Sequence, residues 1–393
     1  MQKRILSAIL ALCLVFGAVS VSAYAAQETK LCFDGNGEFN ILHLTDFQDG
    51  YPAREEMMKY VNRMLEVYDP DLVVLGGDNC VATKETKEDA IKEIVTPFVE
   101  HEVYFTLVFG NHDDEQGVDK DTLLKMYQKY GGKYCLAYDA DPDLSGSGNH
   151  YLPVYSSDGK SVKFNVWMLD TGTYVYDENG NRLGYDAVRE DQIEWYKSES
   201  KKLEEKAGAK VPSVVFQHMT VQEVYEKMFP HAYIDVPFFT ETYSGVRYSV
   251  FNPKTESFAG HLLEPPSPGY YNHGEVDAML ERGDVLAIFM GHDHLNTYEV
   301  DVGGLDVINT PGSSYNAYGH EFVRGSRLIT IKEDNPWEYT SKVITVTDLI
   351  MSDDEFAAQS DMSRIEAFAW ISFADFLLLC KMLSGPISWL LYW

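Results

Sequence analysis

At 393 residues, 45% of them hydrophobic and 13% aromatic, the chain has enough apolar material for one large domain or two ordinary ones, and intrinsic disorder is excluded. Its 32 basic and 61 acidic residues leave a formal net charge of −29, which excludes long-range attraction to nucleic acid or to an anionic membrane. If the substrate carries phosphate, bound metal ions must supply the local positive charge.

Residues 1–25 have the three parts of a cleavable secretory signal: Lys3 and Arg4, an apolar run over 5–19, and Ala23-Tyr24-Ala25 as the cleavage site. The run is short for a spanning helix. Leu12 is too bulky for a lipoprotein signal ending at Cys13. Export to the cell surface or the medium is expected. Cys32, Cys80, Cys135 and Cys380 follow without a C-x-x-C pair, so neither a zinc ribbon nor a dense disulfide framework is present, although one disulfide is permitted in an exported chain. Cys80 reads as a packing residue.

After a polar lead-in, residues 40–44 read as a strand, 54–68 as a helix with Met57, Val61, Met64 and Leu65 on one face, and 71–75 as a second strand. A helix over 84–101 and a strand in VYFTLVFGNHDDE (103–115) complete a β-α-β-α-β unit, so this part of the sheet is parallel with right-handed crossovers. Then come a helix (119–130), a Gly-, Asp- and Ser-rich loop (131–149), strands at 150–155 and 162–169, a helix (191–206) and a strand at 211–216. The segment 225–274 has no clear period and is dense in Tyr, Phe, Pro and His. Long irregular segments of this kind are often functional, and a substrate-facing cap is expected here. A helix over 275–282 and a strand over 284–290 follow. Residues 305–309, 328–331 and 338–346 read as antiparallel strands closing a main domain that spans 26–348.

The tail, 349–393, carries an apolar stretch at 365–380 and another at 387–393. It reads as a membrane contact, as a helix packed on the domain, or as a poorly ordered end. Glu366, Asp375 and Lys381 would each be costly in a spanning helix. Nothing in the sequence sets the oligomeric state.

Five of the apolar runs stop abruptly in ligand-type residues. They lead into Asp46-Phe47-Gln48, Gly77-Asp78-Asn79, Gly110-Asn111-His112-Asp113, Gln217-His218 and Gly291-His292-Asp293-His294. In open α/β sheets, function sits beyond the carboxyl ends of the strands. One metal centre at one sheet edge is the simplest common cause. Asp46, Gln48 and His294 suit one ion, Asn111, His218 and His292 a second, and Asp78 can bridge them. Mixed nitrogen and oxygen ligands favour Fe, Mn or Zn over Ca or Mg. Paired ions clamp the attacking and leaving oxygens of an in-line displacement and acidify a bridging water. His112, not needed as a ligand, is placed to stabilise phosphoryl oxygens or protonate the leaving group, with Asp113 holding its tautomer. Asp170 also ends a strand but reads as a turn residue. His43, His101, His150, His231, His261, His273 and His320 read as core or surface histidines.

These blocks, in this order and spacing over about residues 39–331, resemble those of the calcineurin-like metallophosphoesterases. Gly184-Tyr185-Asp186 leading into Gln192-x-Glu194-Trp195, and Gly283-Asp284 ahead of Gly291, resemble the purple-acid-phosphatase-like branch with its plant and fungal single-domain members. The resemblance implies an α/β fold, a four-layer α-β-β-α sandwich with mixed sheets and a cap insertion. It also implies two divalent or trivalent transition-metal ions and a small phosphorylated substrate. Two departures stand out. Gln48 replaces the family's usual His, which implies weaker ligation at the first metal or a different ion there. Val81 stands where purple enzymes carry Tyr, so no tyrosinate–iron charge transfer is expected. The activity implied is hydrolysis of phosphomonoesters by a metal-bridging hydroxide, with phosphodiesters or nucleotides as the alternative substrate class. A non-catalytic metal- or phosphoryl-binding surface protein is the rival, and the intact Asn111-His112-Asp113 block argues against it.

Overall fold

The computed structural model describes residues 30–391; the signal-type segment expected at 1–25 lies outside the described residues. In chain order the strands are β1 (Leu31–Cys32), β2 (Glu38–Leu44), β3 (Leu72–Gly76), β4 (Phe105–Val108), β5 (His150–Tyr155), β6 (Val162–Met168), β7 (Tyr174–Tyr176) and β8 (Arg182–Tyr185). They continue with β9 (Ser213–Phe216), β10 (Thr240–Tyr243), β11 (Val246–Ser249), β12 (Val285–Met290), β13 (Glu299–Asp301), β14 (Asp306–Asn309), β15 (Gly325–Lys332) and β16 (Asn335–Thr345). Two mixed sheets organise the chain, ordered β16-β15-β2-β3-β4 and β1-β5-β6-β9-β12-β14-β13.

Alternation along the strands explains why the sheets stack. In β2 and β3, Phe39, Ile41, Leu72 and Val74 point toward the second sheet, where they meet Val154, Phe164, Val166, Val214, Phe216 and Phe289 in one buried layer. The opposite faces of the same strands, Leu42, Leu44, Val73 and Leu75, pack against helices Glu55–Tyr68, Lys87–Glu100 and Lys120–Gly131. The far face of the larger sheet, including Trp167, Val215, Ile288 and Met290, is covered by helices Glu190–Ala207, Glu223–Met228 and Glu275–Arg282. The result is the four-layer α-β-β-α sandwich. Helix Glu55–Tyr68 shows why each outer layer forms. Met57, Tyr60, Val61, Met64 and Leu65 recur at helical spacing and are all buried, and Asp69 ends the helix in the left-handed region at φ 38°.

Polar ties cross the central layer. Thr106 on β4 hydrogen-bonds His150 Nε2 on β5 at 2.6 Å, and His43 Nδ1 lies 2.7 Å from Thr310 Oγ1. Both histidines are the buried core residues expected. Asp170 accepts from the buried Lys120 ammonium (2.8 Å) and from the Ser147 and Gly172 amides, the work of a turn residue. Cys80 is buried, and the four cysteines among the described residues are free thiols.

One expectation needs correction, and of the alternatives for the tail the packed helix is the one observed. Strand β14 does not run antiparallel on both sides; it pairs parallel with β12 and antiparallel only with β13, because the chain first runs along the sheet edge as β13 and then turns back between it and β12. The tail forms the helix Arg364–Leu391, in which Ala374, with Trp370 and Leu377, packs on Phe322, Val323, Leu263 and Leu295. Ile365, Phe368, Phe376 and Leu379 stay exposed on it. Among the described residues, no helix is long and apolar enough to cross a membrane.

Candidate metal centre

Strands β2, β3 and β4 are mutually parallel, as are β6, β9, β12 and β14, and both blocks end at one edge of the sandwich. Each predicted ligand lies within four residues of such an end. The turns that aim them are strained: Asp46 (φ 55°), Gln48 (φ 43°), Asp78 (φ 50°) and His292 (φ 68°) all occupy the left-handed region. Non-glycine residues there cost about 1–3 kcal/mol each and cluster at functional sites. Close approach also demands glycine. A Cβ on Gly110 would sit 2.1 Å from Asp78 Oδ1, and one on Gly291 would sit 2.0 Å from Thr45 Oγ1.

Asp46 is held by one oxygen and Asp78 by both. Asp46 Oδ2 accepts from Thr45 Oγ1 (2.8 Å) and from the His292 amide (3.0 Å), which leaves Oδ1 free. Asp78 Oδ1 accepts from the His112 amide at 2.7 Å, and its Oδ2 faces His218 Nε2 at 3.2 Å. His218 donates Nδ1–H to Gly76 O at 2.9 Å, and His294 donates Nδ1–H to Tyr318 O at 2.7 Å. Both rings therefore turn Nε2 inward, the orientation in which histidines ligate metals. His294 Nε2 lies 3.3 Å from Asp46 Oδ1. The ligand atoms of Asp78, His218 and His292 lie within 4.8 Å of one another.

The buried atoms test whether ions fit here. Asp46 Oδ1, Asn111 Oδ1 and His218 Nε2 are all buried and none makes a hydrogen bond. A buried unsatisfied polar atom costs about 1–3 kcal/mol. The charge balance points the same way. Burial alone would push the His218 imidazole down, but the Asp78 and Asp46 carboxylates lift it to about 10. Burial would likewise raise Asp46, yet His294 and His218 hold it below its ordinary value. Burial, then His218, pushes His292 down to about 3, so that ring is a neutral lone-pair donor. Two buried carboxylates surrounded by imidazoles call for positive charge, and divalent metal ions held by these oxygen and nitrogen donors would supply it.

Gln48 is brought to the cluster, where its amide nitrogen donates to Asp78 Oδ2 at 3.2 Å. It partners the carboxylate, and its oxygen is the end left for a cation. Asp113 does not do what the sequence suggested. Its carboxylate accepts from the amides of Gly110 (2.8 Å), Asn79 (2.9 Å) and Cys80 (3.1 Å), clamping the turns after β3 and β4 together. Burial, then Asp78, raises it to about 6. The group that faces His112 Nδ1 is Glu115, at 2.6 Å.

Four contributors escaped the sequence reading. Glu115 lies inside the stretch singled out but carries no motif. Tyr174, on the β7–β8 hairpin, bonds both Asn111 and Glu115. Tyr185 sets its ring 4.3 Å from that of His292, and Tyr318 stacks on His294 at 4.2 Å. Of the 26 tyrosines in the chain, Tyr185 stood in the Gly184-Tyr185-Asp186 block without a site role attached to it, and Tyr174 and Tyr318 gave no signal. From the expected cap, Glu264 accepts from the Leu295 amide and from Tyr318 Oη.

A sandwich whose parallel strands converge on such a cluster is that of a metallophosphoesterase. The chain belongs to the calcineurin-like phosphoesterase family, whose model matches residues 39–296. It is 25% identical over 353 residues to "Probable inactive purple acid phosphatase 14" of Arabidopsis thaliana, covering 81% of this chain and 82% of that protein. It is 25% identical over 304 residues to "Phosphatase DCR2" of Saccharomyces cerevisiae, covering 71% of this chain and 47% of that protein. The crystal structure of a dimetal phosphatase from Danio rerio covers 78% of this chain and 98% of that one, at 13% identity and a TM-score of 0.43.

Proposed function

We propose that this protein is an exported, binuclear-metal phosphoesterase that hydrolyses small phosphomonoesters. The observation that carries catalysis beyond mere metal binding is His112. It sits beside the cluster, 37% exposed where the ligands are buried, and its Nδ1 is engaged by Glu115, so Nε2 remains for a substrate. When bound, two ions supply Lewis acidity toward phosphoryl oxygens and lower the pKa of a water nucleophile. The chain's own residues do the rest. Asp78 spans the two halves of the ligand set, with Asp46, Gln48 and His294 on one side and Asn111, His218 and His292 on the other. His112 Nε2 hands a proton to the departing alkoxide, and Tyr185 and Tyr318 wall the ligand rings against bulk water.

A non-catalytic metal-binding role is the second reading, favoured by Gln48 in place of the family's His and by the name of the Arabidopsis relative. The deciding experiment measures metal content, then hydrolysis of p-nitrophenyl phosphate and its bis-ester with added Mn, Fe or Zn, beside His112→Ala. Two ions per chain with p-nitrophenyl phosphate turnover, and a collapse in H112A on an alkyl phosphate whose leaving group needs the proton, supports the enzyme. Faster bis-ester turnover makes it a diesterase. Two ions without turnover on either ester supports the second reading. Export is tested by the N-terminal residue of protein recovered from the medium. Membrane contact through the tail is tested by vesicle co-sedimentation with and without residues 364–393.

A further inference from the structure

Beside the metal ligands, four polar side chains on two elements form a continuous chain of hydrogen bonds. His112 Nδ1 lies 2.6 Å from Glu115 Oε2, the other carboxylate oxygen of Glu115 accepts from Tyr174 Oη at 2.8 Å, and Tyr174 Oη accepts from Asn111 Nδ2 at 2.9 Å. Counting protons fixes every direction. A carboxylate only accepts, so the phenol must spend its one proton on Glu115 and can only accept from Asn111. The Asn111 amide therefore points its nitrogen at Tyr174 and its oxygen the other way, and that oxygen is buried with no hydrogen-bond partner. By the same logic, His112 must carry its proton on Nδ1.

We propose that Glu115 is the positioning residue of this site: through His112 it keeps one ring proton on Nδ1, so that Nε2 is the position that takes up the second proton of the imidazolium and hands it on, and through Tyr174 it fixes the amide orientation of the metal ligand Asn111. Glu115 sits three residues beyond His112 in the turn after β4, so one carboxylate serves both groups. A free imidazole exchanges tautomers and rotamers, whereas this one is gripped by a charge-assisted bond. The inference rests on the phosphoesterase reading for its kinetic consequence, but the tautomer and the amide orientation are properties of the chain itself.

The test uses the full chain with metal bound and three variants, Glu115→Ala, Glu115→Asp and Tyr174→Phe. The first readout is the ring 15N spectrum of labelled histidine at pH 8, with the His112 signal assigned by its loss in His112→Gln. Wild type should show a single Nδ1–H tautomer, E115A a mixture, and E115D a return toward wild type. The second readout is kinetic. Loss of an oriented general acid should cost E115A about tenfold or more in kcat on an alkyl phosphate, with KM little changed, and far less on p-nitrophenyl phosphate, whose leaving group needs no proton. The third is metal affinity, which should fall in Y174F while the His112 spectrum stays close to wild type. A His112 tautomer unchanged in E115A would overturn the proposal, as would equal kinetic losses on the two esters. If wild type turns over neither ester, the phosphoesterase reading fails, and the 15N spectrum still decides the role of Glu115.

Discussion

His218 and Gly76 join the two sheets at the metal edge. The histidine follows β9 in the larger sheet, the glycine ends β3 in the smaller one, and Nδ1–H donates to the carbonyl at 2.9 Å. The bond selects the tautomer that aims Nε2 at Asp78 and locks the sandwich where the ligands converge. His218→Ala should therefore lose one of two bound ions by mass spectrometry of metal content. Its melting temperature should also respond less to chelation than the wild type's, because metal binding free energy is folding free energy. An unchanged stoichiometry in the variant would remove His218 from the ligand set.

Gly110 holds a place no side chain can share. A Cβ there would lie 2.1 Å from Asp78 Oδ1 and 2.5 Å from the Asp78 amide nitrogen, closer than real Cβ contacts allow. Gly110→Ala must displace the carboxylate that serves both halves of the site, so metal affinity is expected to drop by about 10- to 100-fold. Gly35→Ala, with nothing within 4 Å, is the control and should bind metal like the wild type. Titration of the apo forms with Zn or Mn compares them directly.

How far the sequence could be read depends on how local each signal is. An apolar run that stops at Asp78 or His292 is a local pattern, and it foretold both the strand and the residues that meet at its end. The partner of His112 was not local in that sense. Asp113 is adjacent and Glu115 is three residues away, and only the turn conformation decides which carboxylate reaches the ring. Tyr174, Tyr185 and Tyr318 come from a hairpin and a loop whose approach is set by tertiary packing, without any periodicity of their own. The direction of β14 is a topological property, and three residues of β13 were enough to change it. The tail's apolar composition was plain, but composition does not say that Trp370 and Ala374 dock on Phe322 and Val323.

Arg327 is the one guanidinium fully enclosed between the layers among the largest buried side chains. It donates to the Glu299 carboxylate, to Ser341 Oγ at 2.7 Å, and to the Asn309 and Thr297 carbonyls at 2.9 and 3.2 Å. Replacing it with Met leaves the buried carbonyls of Thr297 and Asn309 without their donor, at about 1–3 kcal/mol for each. Glu299→Gln should cost less, since that side chain is 39% exposed and water replaces part of what is lost. Urea denaturation of the two variants should rank them in this order. Equal, small losses would mean the guanidinium is held mainly by its stem.

Glu275 offers a pH signature separate from the metal ligands. Burial, then the nearby Glu223 carboxylate, pushes it from 4.5 up to about 8, against a weak opposing contact from Gln217 Nε2 at 3.5 Å. The folded state thus keeps a proton that the unfolded chain releases near pH 4.5. Whatever stability this proton provides is intact below about pH 4.5 and is lost as pH rises toward 8. Glu275→Gln is neutral throughout and has no such loss. The stability of E275Q relative to wild type should therefore climb across that window, by up to about 1.4 kcal/mol per pH unit, and level off above pH 8. Contributions from the metal ligands cancel in the difference. Denaturation of both proteins at unit steps from pH 4 to 9 makes the comparison, and a difference independent of pH would show that Glu275 is ionised in the folded protein after all.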